Sequence, residues 1–300
     1  MEDLPIVLIL NAPSINTGLI DDVLSIKDWI EKRQKKDKIW IHIDGAFGMF
    51  FLPFLNEEDY KKIGPPISEF YESEKSKLDK LYFPHVNSIS VDLHKMGLIP
   101  YPAGVILIKK EKEEKEKEKK DWELIRRRAD YIAKHYDDTL SGSRSGAAVV
   151  SSYAAIRELG YDGYRKIIIE CLRLTNEFLE HFRQSGDIFE IVGKPITNVF
   201  AVRFTKTFIK RLERNSKLEQ IAKVFWRKKC VRDYNIVETP LEENYSHLNK
   251  QQQKEKEEKK EEFGDKIWRF TIMPHVTEAV LDNFIKILYI FIQEVRHAGP

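Results

Sequence analysis

His94 and Lys95 come directly after a short alternating stretch and just before a glycine, in the segment SISVDLHKMG. Alternation of apolar and polar residues is typical of a β-strand, so the two basic side chains are predicted at a strand end. A lysine held there in a low-dielectric cleft can attack a carbonyl group, because the cleft favours the neutral amine. The same pattern also describes a strand that simply leaves the core for solvent.

Asp44 ends another candidate strand, in KIWIHIDGAFG. A partly buried carboxylate is costly unless it meets a cation, and the strand residues directly before it, IWIHI, include neither lysine nor arginine. Pyridoxal phosphate would suit both groups, because its aldehyde forms a Schiff base with lysine and its protonated ring nitrogen pairs with aspartate. The glycine-serine turn at Gly142 and Ser143 offers the backbone N–H groups and hydroxyl that a phosphate needs. Each motif alone is also explained by an ordinary structural role, such as a surface residue, a helix cap or a turn. Only the combination of the motifs favours a cofactor site.

The elements around these residues predict an α/β fold. An apolar run at residues 4–10 leads through the turn NAPSINTG into a helix at about residues 22–33, and then into the strand that ends at Asp44. SISVD and AGVILIKK follow as two further strands, close enough in sequence to pair. Strands that alternate with helices predict a mostly parallel sheet covered by helices on both faces, with functional residues at the carboxyl ends of the strands.

The remainder of the chain divides into three parts. Residues 1–160 are predicted to form part of a large cofactor-binding domain, residues 161–185 a long connecting helix, and residues 186–300 a small C-terminal α+β domain. Residues 110–120 and 250–262 are runs of lysine and glutamate, and such balanced runs are usually solvated. We therefore interpret both runs as charged insertions.

Composition narrows the function classes. The formal net charge is +2, from 50 basic and 48 acidic residues, which gives no electrostatic case for nucleic-acid binding. Cys171 and Cys230 lie far apart without a metal-ligand pattern, so no metal site is expected and a reducing compartment is predicted. No segment approaches the length of a membrane span. We expect a cytoplasmic protein without a membrane partner.

The sequence resembles the group II pyridoxal-phosphate-dependent amino-acid decarboxylases. WIHIDGAFGMFFLPF is similar to the family's strand with Asp-x-Ala, NSISVDLHKMG resembles its Ser-x-x-x-Asp-x-His-Lys, and TLSGSRSGAAV resembles its Gly-Ser/Thr-Arg-Ser-Gly segment. HKMG with a following PAG and a late MPHV looks most like the archaeal tyrosine/aspartate decarboxylase branch. The resemblance implies the pyridoxal-phosphate-dependent fold type I and covers nearly the whole chain outside the charge runs.

The resemblance also implies roles for residues of the cofactor site. Lys95 would carry the Schiff base, Asp44 would pair with the ring nitrogen, Ala46 would pack on the ring, and His94 would lie beside the phosphate or the lysine link. Ser14 stands where the family has a cofactor-side threonine, although Pro13 replaces a glycine there.

Gly142 and Ser143 would reach the phosphate of a neighbouring subunit, so the resemblance implies a homodimer with a shared active site. The family's proton-donating tyrosine would fall near the first charge run, at Tyr131 or Tyr136, and the sequence does not distinguish them.

One departure from the family concerns its N-terminal segment, which carries a phosphate loop, a ring-stacking residue and much of the substrate pocket. This chain shows no counterpart before the strand at residue 4. We therefore expect a fragment, one part of a split enzyme whose other chain supplies that half, or a truncated relative without activity.

Decarboxylation of an L-amino acid, tyrosine or aspartate, is the predicted function. The alternatives are a carbon–carbon lyase similar to sphingosine-phosphate lyase, and a non-catalytic subunit of the same fold. A cysteine desulfurase also uses His-Lys, but neither Cys171, within a predicted helix, nor Cys230 is placed as its mobile cysteine.

Overall fold

The computed structural model describes residues 6–32, 39–78, 86–109, 145–233, 236–240 and 266–299. The described chain contains two four-stranded sheets with helices packed against them. Both charge runs, and the segment with Gly142, Ser143, Tyr131 and Tyr136, lie outside the described residues.

The first sheet is mostly parallel, as predicted. Its strands lie in the order β1 (Ile6–Asn11), β2 (Ile39–Asp44), β3 (Val86–Asp92) and β4 (Gly104–Ile108). The first three strands run parallel, and β4 pairs with β3 in the antiparallel direction. The carboxyl ends of β2 and β3 therefore meet at the same edge of the sheet, where Asp44 and the segment with Lys95 lie.

The helices of this unit follow the strands in sequence. Helix α1 (Val23–Glu31) begins after Asp22, whose side chain accepts a hydrogen bond from the Ser25 backbone N–H, so the predicted start at residue 22 marks the cap. A short 3₁₀ helix (Leu52–Phe54), α2 (Glu57–Ile63) and α3 (Ile67–Leu78) connect β2 to β3. Asn56 and Asp59 form a reciprocal capping box at the N-terminal end of α2.

The two faces of the first sheet differ in burial. Leu10, Ile41 and Ile43 point to a buried face that belongs to the main core. On the opposite face Val7 and Ile9 are 63% and 62% exposed. The fold class agrees with the prediction, but among the described residues this second face of β1 still presents apolar side chains to solvent.

A long helix, α4 (Ala147–Gln184), joins the two units and is kinked at Gly160, which has φ 57° and ψ −167°. Its second half is buried and holds α2 and α3 in place. Arg165 forms an ion pair with the buried Asp59 of α2. Asn176 accepts a hydrogen bond from the Ile67 backbone N–H at 3.0 Å and donates to the Ile63 carbonyl at 3.2 Å.

The second unit is an α+β structure, as predicted for the C-terminal part. Its antiparallel sheet has the order β5 (Phe189–Ile191), β6 (Val199–Phe204), β8 (Lys266–Thr271) and β7 (Val237–Pro240). Helices α5 (Lys206–Arg214) and α6 (Ser216–Lys223), a π-helix (Val224–Asp233) and α7 (Glu278–His297) complete the unit.

A cluster of aromatic side chains packs in the core of this second unit, among buried aliphatic residues. The rings of Phe200 and Phe270 stack with centroids 4.9 Å apart, and the rings of Trp226 and Trp268 stack at 3.8 Å with an interplanar angle of 2°. Both tryptophans are fully buried. The division of the chain at residues 160 and 185 stays a prediction, although the kink at Gly160 coincides with the first boundary.

No helix within the described ranges combines the length and the apolar character that crossing a membrane requires.

Candidate active site

A row of polar side chains crosses one face of the first sheet, because side chains alternate between faces along a strand. His42 of β2 is paired in register with Ser88 of β3, and Asp44 with Ser90. The Ser88 hydroxyl accepts a hydrogen bond from the Trp40 indole N–H at 2.9 Å and lies 2.8 Å from Nδ1 of His42. This polar row leads along the strands to the edge where Asp44 and Lys95 lie.

Asp44, the last residue of β2, is partly buried and held by neutral donors. Its Oδ1 accepts hydrogen bonds from the Ala46 backbone N–H at 3.1 Å and from the Ser90 hydroxyl at 3.3 Å. Within the described ranges no lysine, arginine or histidine forms an ion pair with this carboxylate. A fixed, partly buried carboxylate without a protein cation fits the protonated ring nitrogen of pyridoxal phosphate.

Lys95 lies in a tight turn directly after β3. Its Nζ forms an ion pair with Asp92 Oδ2 at 2.9 Å, and its side chain is 21% exposed. The backbone N–H of Lys95 donates to the Asp92 carbonyl at 3.1 Å. The amine therefore stays close to the end of β3, where an aldehyde bound over the sheet could meet it.

His94 is almost buried beside the same carboxylate. Its Nε2 lies 3.5 Å from Asp92 Oδ2, and its Nδ1 accepts a hydrogen bond from the Ala103 backbone N–H at 3.2 Å. The imidazole ring packs on Tyr101, with ring centroids 3.7 Å apart. Contacts on both nitrogens and on one ring face fix the orientation of the imidazole next to Lys95.

The turns that follow β2 and β3 are joined by backbone hydrogen bonds. The Asp92 N–H donates to the Ala46 carbonyl at 3.0 Å, and the Gly45 N–H donates to the Ser90 carbonyl at 3.1 Å. Ala46, the predicted ring-packing residue, is thus held next to the segment that carries Lys95. The structure brings Asp44, Ala46, His94 and Lys95 together at one edge of the sheet.

The loop with Ser14 lies against the Asp44 turn. The Ala12 backbone N–H donates to the Asp44 carbonyl at 2.9 Å. A Cβ added at Gly48 would lie 1.9 Å from Cδ of Pro13, so a glycine is required for this approach. The Ser14 hydroxyl accepts a hydrogen bond from the Asn16 backbone N–H at 3.3 Å. Its predicted contact with a cofactor remains a prediction.

Sequence reasoning included Asp92 in the Asp-x-His-Lys motif without giving it a role, and it missed Ser90. The alternation of side chains along a strand could have indicated both residues, because it puts Ser88, Ser90 and Asp92 on one face of β3. The same alternation in IHID puts His42 and Asp44 on one face of β2. The predicted phosphate contacts Gly142 and Ser143 stay untested, since both lie outside the described residues. Among the residues that the structure describes, no group of three or more acidic, histidine or cysteine side chains could hold a metal ion.

Known structures define the class of this fold. The chain superposes on a sphingosine-1-phosphate lyase of Burkholderia pseudomallei with a TM-score of 0.57 and 19% identity, over 97% of this chain and 53% of the other. At that identity the likeness shows the fold alone. The chain has the pyridoxal-phosphate-dependent fold type I, as its sequence motifs predicted.

The conserved-domain model of the pyridoxal-dependent decarboxylases matches residues 3–205, and the chain belongs to this family. It is 26% identical over 288 residues to a probable L-aspartate decarboxylase of Archaeoglobus fulgidus, which covers 95% of this chain and 59% of the relative. It is 30% identical over 186 residues to a probable L-tyrosine/L-aspartate decarboxylase of Methanosarcina mazei, over 62% of this chain and 39% of the relative. With 59% and 39% of these two relatives covered, the chain spans about half of their length.

Proposed function

We propose that this chain takes part in pyridoxal-phosphate-dependent decarboxylation of an L-amino acid, with Lys95 as the residue that binds the cofactor covalently. The observation that carries the proposal is the position of Asp44 at the end of β2 and of Lys95 in the turn after the neighbouring β3, with the two turns hydrogen-bonded to each other through Ala46 and Asp92. Tyrosine and aspartate are the proposed substrates, because the archaeal relatives bear those names.

The cofactor, when bound, supplies an electron sink for the electron pair that remains when carbon dioxide leaves. Asp44 would hold a proton on the ring nitrogen, which keeps that sink effective. Ser90 and the Ala46 N–H keep the Asp44 carboxylate in a single orientation. Lys95 would give up a proton before its amine binds the aldehyde, and Asp92 lies 2.9 Å away as the carboxylate that holds the ammonium until then.

His94 would contact the cofactor beside Lys95, since its ring is already fixed by Ala103 and Tyr101. Ser14 would add a hydroxyl from the neighbouring loop. We further propose a homodimer in which Gly142 and Ser143 of one subunit reach the phosphate bound to the other. The basis for the dimer is the family resemblance of those motifs.

Borohydride trapping tests the assignment of Lys95. The chain is incubated with pyridoxal phosphate, the carbon–nitrogen link is reduced with sodium borohydride, and peptides are mapped by mass spectrometry. We expect the pyridoxyl group on Lys95, and none in Lys95→Ala. Lys62→Ala is the control, because Lys62 is largely exposed and its amine forms a long ion pair with Glu58 at 3.9 Å. A pyridoxyl group on another lysine would refute the assignment.

Product analysis tests the reaction. With L-tyrosine or L-aspartate we expect carbon dioxide and the corresponding amine, tyramine or β-alanine, formed by the enzyme that contains this chain. Release of an aldehyde from a phosphorylated amino alcohol would instead support the carbon–carbon lyase. If that enzyme carries no covalently bound cofactor on this chain, the alternative of a non-catalytic subunit is supported.

A further inference from the structure

The turn that presents Lys95 is tight and conformationally strained. The Leu98 N–H donates to the Lys95 carbonyl and the Ile99 N–H to the Leu93 carbonyl, both at 3.2 Å. Leu98 has a φ of 60°, in the left-handed region that side-chain-bearing residues rarely adopt. Such a conformation persists where the surrounding structure fixes it. Contacts from elsewhere in the fold must therefore hold this turn.

The first such contact comes from α4. The Tyr164 hydroxyl donates to the Gly97 carbonyl at 2.9 Å, across 67 residues of sequence. Tyr164 is buried, and its ring contacts Phe50 edge-on at 5.0 Å and Phe54 at 5.6 Å. Burial raises the pKa of Tyr164, so the hydroxyl keeps the proton that it donates. The ring packing fixes the hydroxyl beneath the peptide that precedes Leu98.

The second contact comes from the second sheet. Asn198, the residue before β6, is fully buried, and its Nδ2 donates to the Met96 sulfur at 3.3 Å and to the Ile272 carbonyl at 2.9 Å. The Asn198 carbonyl in turn accepts from the Ile272 N–H at 2.9 Å. Met96 is itself fully buried, and it directly follows Lys95. The side chain next to the reactive lysine is thereby tied to the C-terminal unit.

We propose that Tyr164 and Asn198 are positioning residues for Lys95, acting through the Gly97 carbonyl and the Met96 side chain. Neither residue touches the Lys95 amine, so their effect is on the direction from which the amine approaches the aldehyde. The proposal rests on the proposed function in one respect, because it takes Lys95 to be the cofactor-binding lysine. According to this proposal, the C-terminal unit helps to hold the Lys95 turn of the first sheet in place, through the contact of Asn198 with Met96.

Tyr164→Phe is the test variant, because it removes one hydroxyl and keeps the ring between Phe50 and Phe54. Tyr60→Phe is the matched control. Tyr60 is equally buried, and its hydroxyl donates to the Ile196 carbonyl at 3.3 Å without touching the Lys95 turn. Asn198→Leu removes the second contact and keeps the branched shape of the side chain. Thermal unfolding of all the variants measures their general loss of stability.

Hydrogen exchange of the full chain without cofactor gives the first readout. We expect peptides that cover residues 95–99 to exchange about fivefold faster in Tyr164→Phe and in Asn198→Leu, the effect of losing one net hydrogen bond. Tyr60→Phe should leave these peptides unchanged. Unchanged protection in Tyr164→Phe, or equal loss in Tyr60→Phe, overturns the proposal.

The rate of borohydride-trapped labelling at Lys95 gives the second readout. We expect labelling at a fixed pyridoxal phosphate concentration to slow about fivefold in Tyr164→Phe and to stay at the wild-type rate in Tyr60→Phe. A wild-type chain labelled at Lys95, with Tyr164→Phe labelled equally fast, overturns the positioning role alone. A wild-type chain labelled on another lysine overturns the proposed function and the positioning role with it.

Discussion

Asp44 accepts hydrogen bonds from two neutral donors, and an asparagine can accept the same two bonds through its side-chain oxygen. We therefore expect Asp44→Asn to unfold within a few degrees of the wild type. An amide cannot hold the ring nitrogen protonated, so decarboxylation should fall about 100-fold or more, the scale of losing one essential electrostatic contact. Steady-state kinetics of the enzyme that contains this chain measures the loss of activity, and thermal unfolding measures the change in stability.

Ser90→Ala is a milder variant to compare with Asp44→Asn, because it removes one hydrogen bond to Asp44 and keeps the carboxylate. We expect its activity to fall only a few-fold. Full turnover in Asp44→Asn would show instead that Asp44 is no more than a cap for the Gly45–Ala46 turn.

Cys171 illustrates a residue whose chemistry burial suppresses. Cys171 is 2% exposed in α4, and burial raises the pKa of its thiol to about 12. Because the thiolate is the reactive form, we expect no modification of Cys171 by iodoacetamide at pH 8 in the native chain and full modification in urea. Peptide mapping measures this. Rapid labelling of Cys171 in the native chain would contradict this expectation and would make Cys171 a candidate reactive cysteine, which the sequence analysis argued against.

At the residue scale, the sequence predicted the groups that follow strand ends and missed the groups that support them. Asp44 and Lys95 were recognisable because charge interrupts an apolar pattern at those positions. Tyr164 and Asn198 were not, because they lie 67 and 102 residues from the carbonyl and sulfur that they contact. Their types and local spacing are those of ordinary helix and strand residues, so only the tertiary structure shows the contacts.

The kink in α4 requires a glycine. Gly160 combines a φ of 57° with a ψ of −167°, a region that is essentially closed to residues with a Cβ. A Cβ at this position would meet no other atom within 4 Å, so the expected penalty is conformational rather than steric crowding. We expect Gly160→Ala to lower the free energy of unfolding by about 1–3 kcal/mol in urea titration.

Gly146→Ala is the control for the kink. A Cβ there also meets nothing within 4 Å, but Gly146 has a φ of −70°, which alanine adopts readily. Its unfolding free energy should stay within about 0.5 kcal/mol of the wild type. Equal effects of the two substitutions would show that the kink is not a constraint on folding.

At the element scale, periodicity predicted β2, β3, β4 and the second half of α4 within a few residues. Two other elements of the second unit were not predicted. The π-helix at Val224–Asp233 was not predicted, because its wider turns with i→i+5 hydrogen bonds leave no clear mark on an apolar pattern. Strand β7 (Val237–Pro240) ends in a proline and pairs only at the sheet edge, where sequence signals are weak.

For the whole molecule, the apolar face of β1 has a consequence for association. Val7 and Ile9 are more than half exposed on a strand that forms one edge of the first sheet, and Ile106 of β4 is 60% exposed. Exposed apolar edges favour pairing with other chains. We expect the 300-residue chain alone to self-associate at micromolar concentration, as measured by sedimentation velocity.

The double variant Val7→Thr and Ile9→Thr should reduce this self-association, since threonine keeps the β-branched shape and lowers the apolar area. Val280→Thr is the control, because Val280 is 41% exposed at the start of α7 in the other unit. Equal association of the double variant and the control would place the contact on another surface.

The stacked pair Trp226–Trp268 makes the two units optically distinguishable. Both rings are fully buried in the second unit, whereas Trp29 and Trp40 of the first unit are 40% and 42% exposed. Acrylamide in solution will therefore quench the fluorescence of the first unit while the stacked pair keeps its emission. Trp122 lies outside the described residues and is replaced by phenylalanine in this experiment, so that it adds no emission of its own. The loss of the protected emission then reports the opening of the C-terminal unit, and with it the release of Asn198 from the turn that presents Lys95.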